Sequence, residues 1–204
     1  MSTKERPILF SGPMVRAILD GRKTQTRRIV KLTEFGVSDT PGYQWHFRGT
    51  RKGGKGGLWQ DMRHEQILNL CPYGQPGDRL WVRETWFCAT GEPGPTLCHY
   101  RADDDRPEFN GLWKPSIHMF RWASRITLEV VSVRVERLND ISEADSIAEG
   151  IETGGVKWKD YLGGSTQSAA TSFASLWDSI NGLDAWSANP WVWVVEFRQV
   201  EAAQ

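Results

Sequence analysis

Gly21-Arg22-Lys23-Thr24-Gln25-Thr26-Arg27-Arg28-Ile29 alternates. Thr24, Thr26 and Arg28 fall on one side of an extended chain, with Lys23, Gln25 and Arg27 on the other. The stretch directly before it, Ser11 to Gly21, reads as a short helix. Ser11 caps that helix, Pro13 sits in its first turn, and Gly21 ends it in the left-handed conformation. Met14, Val15, Ile18 and Leu19 form its apolar stripe. A helix therefore delivers the chain into a strand carrying four cations, Arg22, Lys23, Arg27 and Arg28.

Further along, residues 31–70 read as irregular. Arg48 to Gly57 is basic and glycine-rich, and reads as a loop. Pro76-Gly77-Asp78 marks a turn, and Arg79 to Phe87 follows as a strand rich in aromatic and β-branched residues. Residues 89–112 return to loop chemistry, with the acidic run Asp103-Asp104-Asp105. Arg125 to Leu138 is a long strand whose apolar parity changes, from Ile126, Leu128 and Val130 to Val131, Val133 and Val135. Such a phase slip implies a bulge or sharp bend. Ser142 to Glu149 is a short helix with a capping-box-like start at Ser142 and Asp145, and Gly150 ends it. Ser168 to Asn181 places Ala169, Phe173, Leu176, Trp177 and Ile180 on one helical face, and Gly182 follows. Trp191 to Val200 closes the chain as a strand with Trp191, Trp193, Val195 and Phe197 on one side. Strands separated by short helices and long loops point to a single α+β domain, residues 1–204, around a small barrel.

Composition bounds the function classes. The 204 residues are 39% hydrophobic and 25% charged, a globular balance. No apolar run is long enough for a transmembrane helix, and no apolar segment follows the N-terminus as a secretory signal would require. The three cysteines, Cys71, Cys88 and Cys98, form no CxxC pair, so reduced thiols in a cytoplasm are expected. The four histidines form no HxxxH or HExxH pair, and no metal or cofactor is expected. Net charge is zero, yet residues 1–70 hold 13 lysines and arginines against 6 acids. That basic third points to a polyanionic partner, or to attraction between the two parts of the chain.

Three features carry chemistry. The 11 tryptophans offer stacking faces for nucleobases, although most belong to the core. The cations around Lys23 lower the pKa of a partly buried lysine, which then serves as base or nucleophile near neutral pH. Glu149, near a helix C-terminus, faces the negative end of the dipole, which suits a general acid. The plain alternatives are a solvated basic strand and an exposed glutamate.

The stretches Gly21–Arg28, Pro76-Gly77-Asp78-Arg79-Leu80-Trp81-Val82 and Ser142–Gly150, in that order and spacing, resemble the ASCH domain of the PUA-like superfamily. His118–Ile126 and Asn189-Pro190-Trp191-Val192-Trp193 are similar to its phage and prophage members, with Phe120 in place of a proline. The resemblance implies a PUA-like small β-barrel with flanking short helices, and long loop insertions at 31–70 and 89–124. Small bacterial members resemble metal-independent N4-acetylcytidine amidohydrolases, which implies catalytic roles for Lys23, Thr26 and Glu149. Arg22, Thr24, Arg27, Arg28, Trp81, Arg83 and Trp193 are the corresponding substrate-binding candidates. The expected partner is a modified nucleoside or RNA, with no membrane. The rival readings are a non-catalytic RNA or modified-base binding module, in which Lys23, Arg27 and Arg28 contact phosphate, and a ribonuclease using His118 beside Arg121.

Overall fold

The computed structural model describes residues 3–49, 57–88, 98–103, 113–152, 155 and 157–200. In chain order the elements are β1 (Glu5–Leu9), α1 (Gly12–Leu19), β2 (Gln25–Ile29), β3 (Gly36–Val37), β4 (Trp45–Arg48), β5 (Trp59–Met62), α2 (His64–Leu68), β6 (Arg79–Arg83), β7 (Trp86–Cys88) and β8 (Cys98–Tyr100). They continue as β9 (Thr127–Arg137), α3 (Glu143–Ala148), β10 (Trp158–Lys159), β11 (Ser165–Thr166), α4 (Ala169–Asn181) and β12 (Trp191–Val200).

Period-two alternation in β12 builds a two-sided sheet. Trp193, Val195 and Phe197 pack into one core with Ile8, Phe10, Val15 and Leu80. Val192 and Val194 face the other way, against Phe173 and Trp177 of α4. Burying both faces makes β12 a continuous hydrophobic run rather than an alternating one. The sheet order is β1-β6-β9-β12-β2, with β1 and β6 parallel and the remaining pairs antiparallel. The parity change expected near Val130 is a bulge: Glu196 pairs with Ser132 but Phe197 pairs with Val130. Val131 is thus the extra residue, and its side chain is exposed.

The α+β expectation is met, but the sheet does not close into a barrel among the described residues. β1 and β2 are its two edges, and no ladder joins them. A side chain spans that seam instead: Arg28 Nη2 donates to Leu9 O at 2.7 Å.

The described part of residues 31–70 is not irregular. It forms the three-stranded sheet β3-β4-β5 followed by α2. Trp45 and Phe47 alternate inward from β4, and Trp45 meets Phe35 at 5.2 Å and Trp191 at 5.0 Å between ring centroids. The expected strand over 79–87 breaks at Glu84–Thr85 into β6 and β7. The expectation of three reduced thiols is also corrected. Cys88 lies opposite Cys98 in the β7–β8 register and forms a disulfide with it, leaving Cys71 as a buried free thiol. Most of the glycine-rich loop, Asp104 and Asp105, and much of the 89–124 insertion lie outside the described residues. No helix among the described residues is long and apolar enough to cross a membrane.

Candidate functional site

The site forms where the α1–β2 connection meets the end of α3. Ser142 caps α3 by accepting from the Asp145 N–H at 3.0 Å, and Glu149 stands at its C-cap. Gly150 follows with φ +80°, where a Cβ would lie 2.7 Å from Lys23 Cβ and 2.9 Å from Ala17 Cβ. Glycine alone permits that approach. It brings the Thr24 N–H within 2.9 Å of Ala148 O, and Lys23 and Glu149 into an isolated antiparallel bridge.

Side chains complete the junction. Lys23 Nζ donates to Glu149 Oε2 and to Glu149 O, both at 2.8 Å. Arg27 Nη1 donates to Glu149 Oε1 at 3.2 Å, so the carboxylate is held at both oxygens. Arg27 also reaches Glu136 Oε1 at 2.6 Å and Asp145 Oδ2 at 3.1 Å through Nη2. Gln25 Nε2 donates to Asp145 O at 2.6 Å. Lys23, Gln25, Arg27 and Glu149 are all buried. Burial draws the Lys23 ammonium below its ordinary pKa; Glu149 opposes this, and Arg28 and Arg27 reinforce it. The dominant cause is therefore desolvation rather than the expected cationic neighbours. Burial pushes the Asp145 carboxyl up, but Arg134 and Arg27 outweigh it and hold the pKa below the usual carboxylate value.

A cleft of about 560 Å³ opens along this edge of the sheet. Thr26, Arg27, Arg28 and Ile29 line it from β2, with Phe10 and Met14 on one side and Phe173, Trp177 and Ile180 of α4 on the other. Glu149, Tyr73 and Lys31 also reach it. In the β2–β12 ladder, Thr24 O accepts from the Phe197 N–H at 2.8 Å and the Val30 N–H donates to Trp191 O at 2.9 Å. The even-numbered residues of β2 thus bond to β12. The backbone groups of Arg27 and Ile29 point to the free edge, where the cleft runs. Thr26 is buried, lines the cleft, and its hydroxyl makes no hydrogen bond among the described residues.

Thr26, Arg27, Arg28 and Glu149 line the same cleft, and Lys23 is bonded to Glu149. Lys23 sits behind Glu149 rather than on the cleft wall, and its Nζ lies 5.6 Å from the Phe10 ring centroid. The other expected binding residues lie elsewhere. Arg22 is exposed and paired with Asp20 at 2.9 Å. Thr24 is exposed and contributes backbone bonds to the α3 junction and to β12. Trp81 is covered by the Arg83 guanidinium, 4.8 Å from its ring centroid, and Arg83 Nε donates to Met119 O at 3.1 Å. Trp193 is buried in the core opposite Arg28. Both tryptophans are buried, Trp193 in the core packed on its face of the sheet and Trp81 beneath Arg83. Phe10, Tyr73, Phe173 and Trp177 line the cleft without having been singled out. Phe173 and Trp177 were legible only as an apolar helix stripe.

Among the described residues, no group of three or more His, Cys, Asp or Glu is placed to hold a metal ion. No protein-family model, curated protein or solved structure matches this chain.

Proposed function

We propose that this chain is a PUA-like amidohydrolase that removes the acyl group from the N4 nitrogen of an N4-acylated cytidine. One observation carries the reading: Thr26 and Glu149 line one cleft, and Glu149 is paired with the buried Lys23 behind that wall. A lysine and a carboxyl sharing one proton supply a base and an acid together.

In the reacting pair Lys23 is the neutral amine and Glu149 the carboxylic acid. Thr26 Oγ1 attacks the acyl carbon while its proton passes to Lys23 Nζ. The backbone N–H of Arg27, on the free edge of β2, donates to the developing oxyanion. The C–N bond breaks as Glu149 gives its proton to the amine nitrogen, releasing the cytidine and leaving an acyl ester on Thr26. Water then attacks that ester. Glu149 takes the water proton, Lys23 returns its proton to Thr26 Oγ1, and the carboxylic acid leaves. The pair ends in its starting state.

The test is incubation of the full chain with N4-acetylcytidine and chromatography for cytidine, beside Lys23→Ala. Cytidine from the wild type and not from the variant is the expected result. Equal cytidine from both contradicts the mechanism. No cytidine from the wild type favours the non-catalytic binding module, and binding to RNA at two salt concentrations then becomes the deciding measurement.

A further inference from the structure

Neighbouring residues of β2 differ in how their charges are met. Arg27 faces three carboxylates, Glu136, Asp145 and Glu149. Arg28 meets none among the described residues. Its Nη2 donates to the Leu9 carbonyl, its guanidinium lies 5.3 Å from the Phe10 ring centroid, and its buried Nε has no hydrogen-bond partner. The Arg28 guanidinium is partly buried and meets no carboxylate directly, with Glu149 acting on it only at longer range, so part of its desolvation cost is unmet. Arg28 forms part of the cleft wall, so an anion arriving there would relieve that cost. Lys31 stands on the same wall, exposed and without an ion pair among the described residues. Tyr73 also lines the cleft, its hydroxyl without a hydrogen bond among the described residues, and the charge of Arg28 acts on that phenol. Glu149 is the acidic residue of the wall, and both its oxygens are occupied.

The spacing fits a ligand with an amide at one end and an anion at the other. Thr26 and Arg28 share a face of β2, two residues apart, or about 6.6 Å along a strand. The cleft volume, about 560 Å³, falls among those that enclose small ligands. Two cations without a direct ion pair among the described residues match a dianionic phosphate monoester better than the single charge of a phosphodiester link.

We propose that the cleft takes a nucleoside 5′-monophosphate, with the phosphoryl group held by Arg28, Lys31 and the Tyr73 hydroxyl. This rests on the amidohydrolase reading for the acylated base, while the phosphate site stands on its own geometry. It also separates two roles that the sequence merges: Lys23 and Arg27 are consumed by carboxylates, and Arg28 is the strand cation left for phosphate.

Calorimetric titration of the full chain with cytidine 5′-monophosphate, with cytidine and with a cytidine tetranucleotide lacking terminal phosphates tests it. The monophosphate is expected to bind about 10- to 100-fold more tightly than cytidine, a preference that added salt weakens. Arg28→Gln removes most of that preference, and Lys31→Ala a smaller share. Lys31 is exposed, so its variant keeps the test open if Arg28→Gln fails to fold after losing the contact to Leu9. Equal binding of cytidine and its monophosphate overturns the proposal. Tighter binding of the tetranucleotide overturns it in favour of RNA. A monophosphate preference without hydrolysis of N4-acetylcytidine supports the phosphate site and removes only the amidohydrolase reading. Hydrolysis without the preference does the reverse.

Discussion

Glu84 and Glu149 are both buried carboxylates, 1% and 4% exposed, that directly follow a strand and a helix respectively. Their surroundings differ. Glu84 is gripped by one guanidinium: Arg125 Nε reaches Oε1 at 2.9 Å and Nη2 reaches Oε2 at 3.1 Å. The same Arg125 binds Asp103 and lies 4.0 Å from the Tyr100 ring centroid. Glu84 is not among the residues lining the cleft. Glu149 instead divides its oxygens between an amine and a guanidinium, and it does line the cleft. An arginine cannot give up its proton, so the Glu84 pair is an ionic fastening. A lysine can, which is what the proposed function asks of the Glu149 pair. Burial is common to both carboxylates; the partner's chemistry and access to a cavity separate them.

The largest expected effect falls on Lys23. Lys23→Ala lowers turnover of N4-acetylcytidine by about 10³- to 10⁴-fold, measured as initial rates on protein whose circular dichroism shows it folded. Loss of Arg125 breaks the other side of the comparison. Arg125→Ala strands a buried Glu84 carboxylate and costs about 3–5 kcal/mol of stability, read from urea unfolding, while turnover per folded molecule stays within about twofold. An Arg125→Ala protein that is stable but inactive would erase the distinction.

Two pH profiles sharpen it. In the proposed mechanism the Lys23–Glu149 pair works with one shared proton and stops when that proton leaves. Burial lowers the Lys23 pKa, so kcat/KM falls as pH rises, with a midpoint below the ordinary lysine value of 10.5. Stopped assays across the alkaline range read that limb, and a midpoint at or above the ordinary value would refute the role of burial. The smallest effect concerns Glu84, whose carboxyl pKa burial raises against the opposition of Arg125. A raised native pKa means that the native state holds its proton to higher pH than the unfolded chain. Stability therefore falls as pH rises from the ordinary value of 4.5 through the raised one. Glu84→Gln flattens that slope, and thermal melts over the acidic range measure the difference.

Local signals made much of the frame legible. Ser142, Ser168, Gly150 and Gly182 bound two helices in the sequence as they do in the fold. The parity change at Val130–Val131 marked a bulge or a sharp bend, and the β9–β12 register shows a bulge there. The alternation of Lys23, Gln25 and Arg27 against Thr26 and Arg28 separated the residues whose side chains bond to the α3 end from those whose side chains do not. The remainder depended on long-range pairing. In residues 31–70 the short strands carry only two to four residues each, too few for a period to stand out from the glycine and charge around them. The partners of Arg27 lie more than 100 residues away, and Asp145 read as a capping residue although its carboxylate serves Arg27 and Arg134. Trp81 and Trp193 looked like stacking platforms because exposure is a property of the sheet, not of the residue. Cys88 and Cys98 gave no motif, since only the β7–β8 pairing sets them opposite each other.

The most direct measurement compares Glu149→Gln with Glu84→Gln, each an isosteric change at a buried carboxylate, for kcat on N4-acetylcytidine. Turnover is expected to collapse in Glu149→Gln by about 10²- to 10⁴-fold and to persist in Glu84→Gln. Equal turnover in the two variants would contradict the assignment of the Lys23–Glu149 pair as the hydrolytic centre.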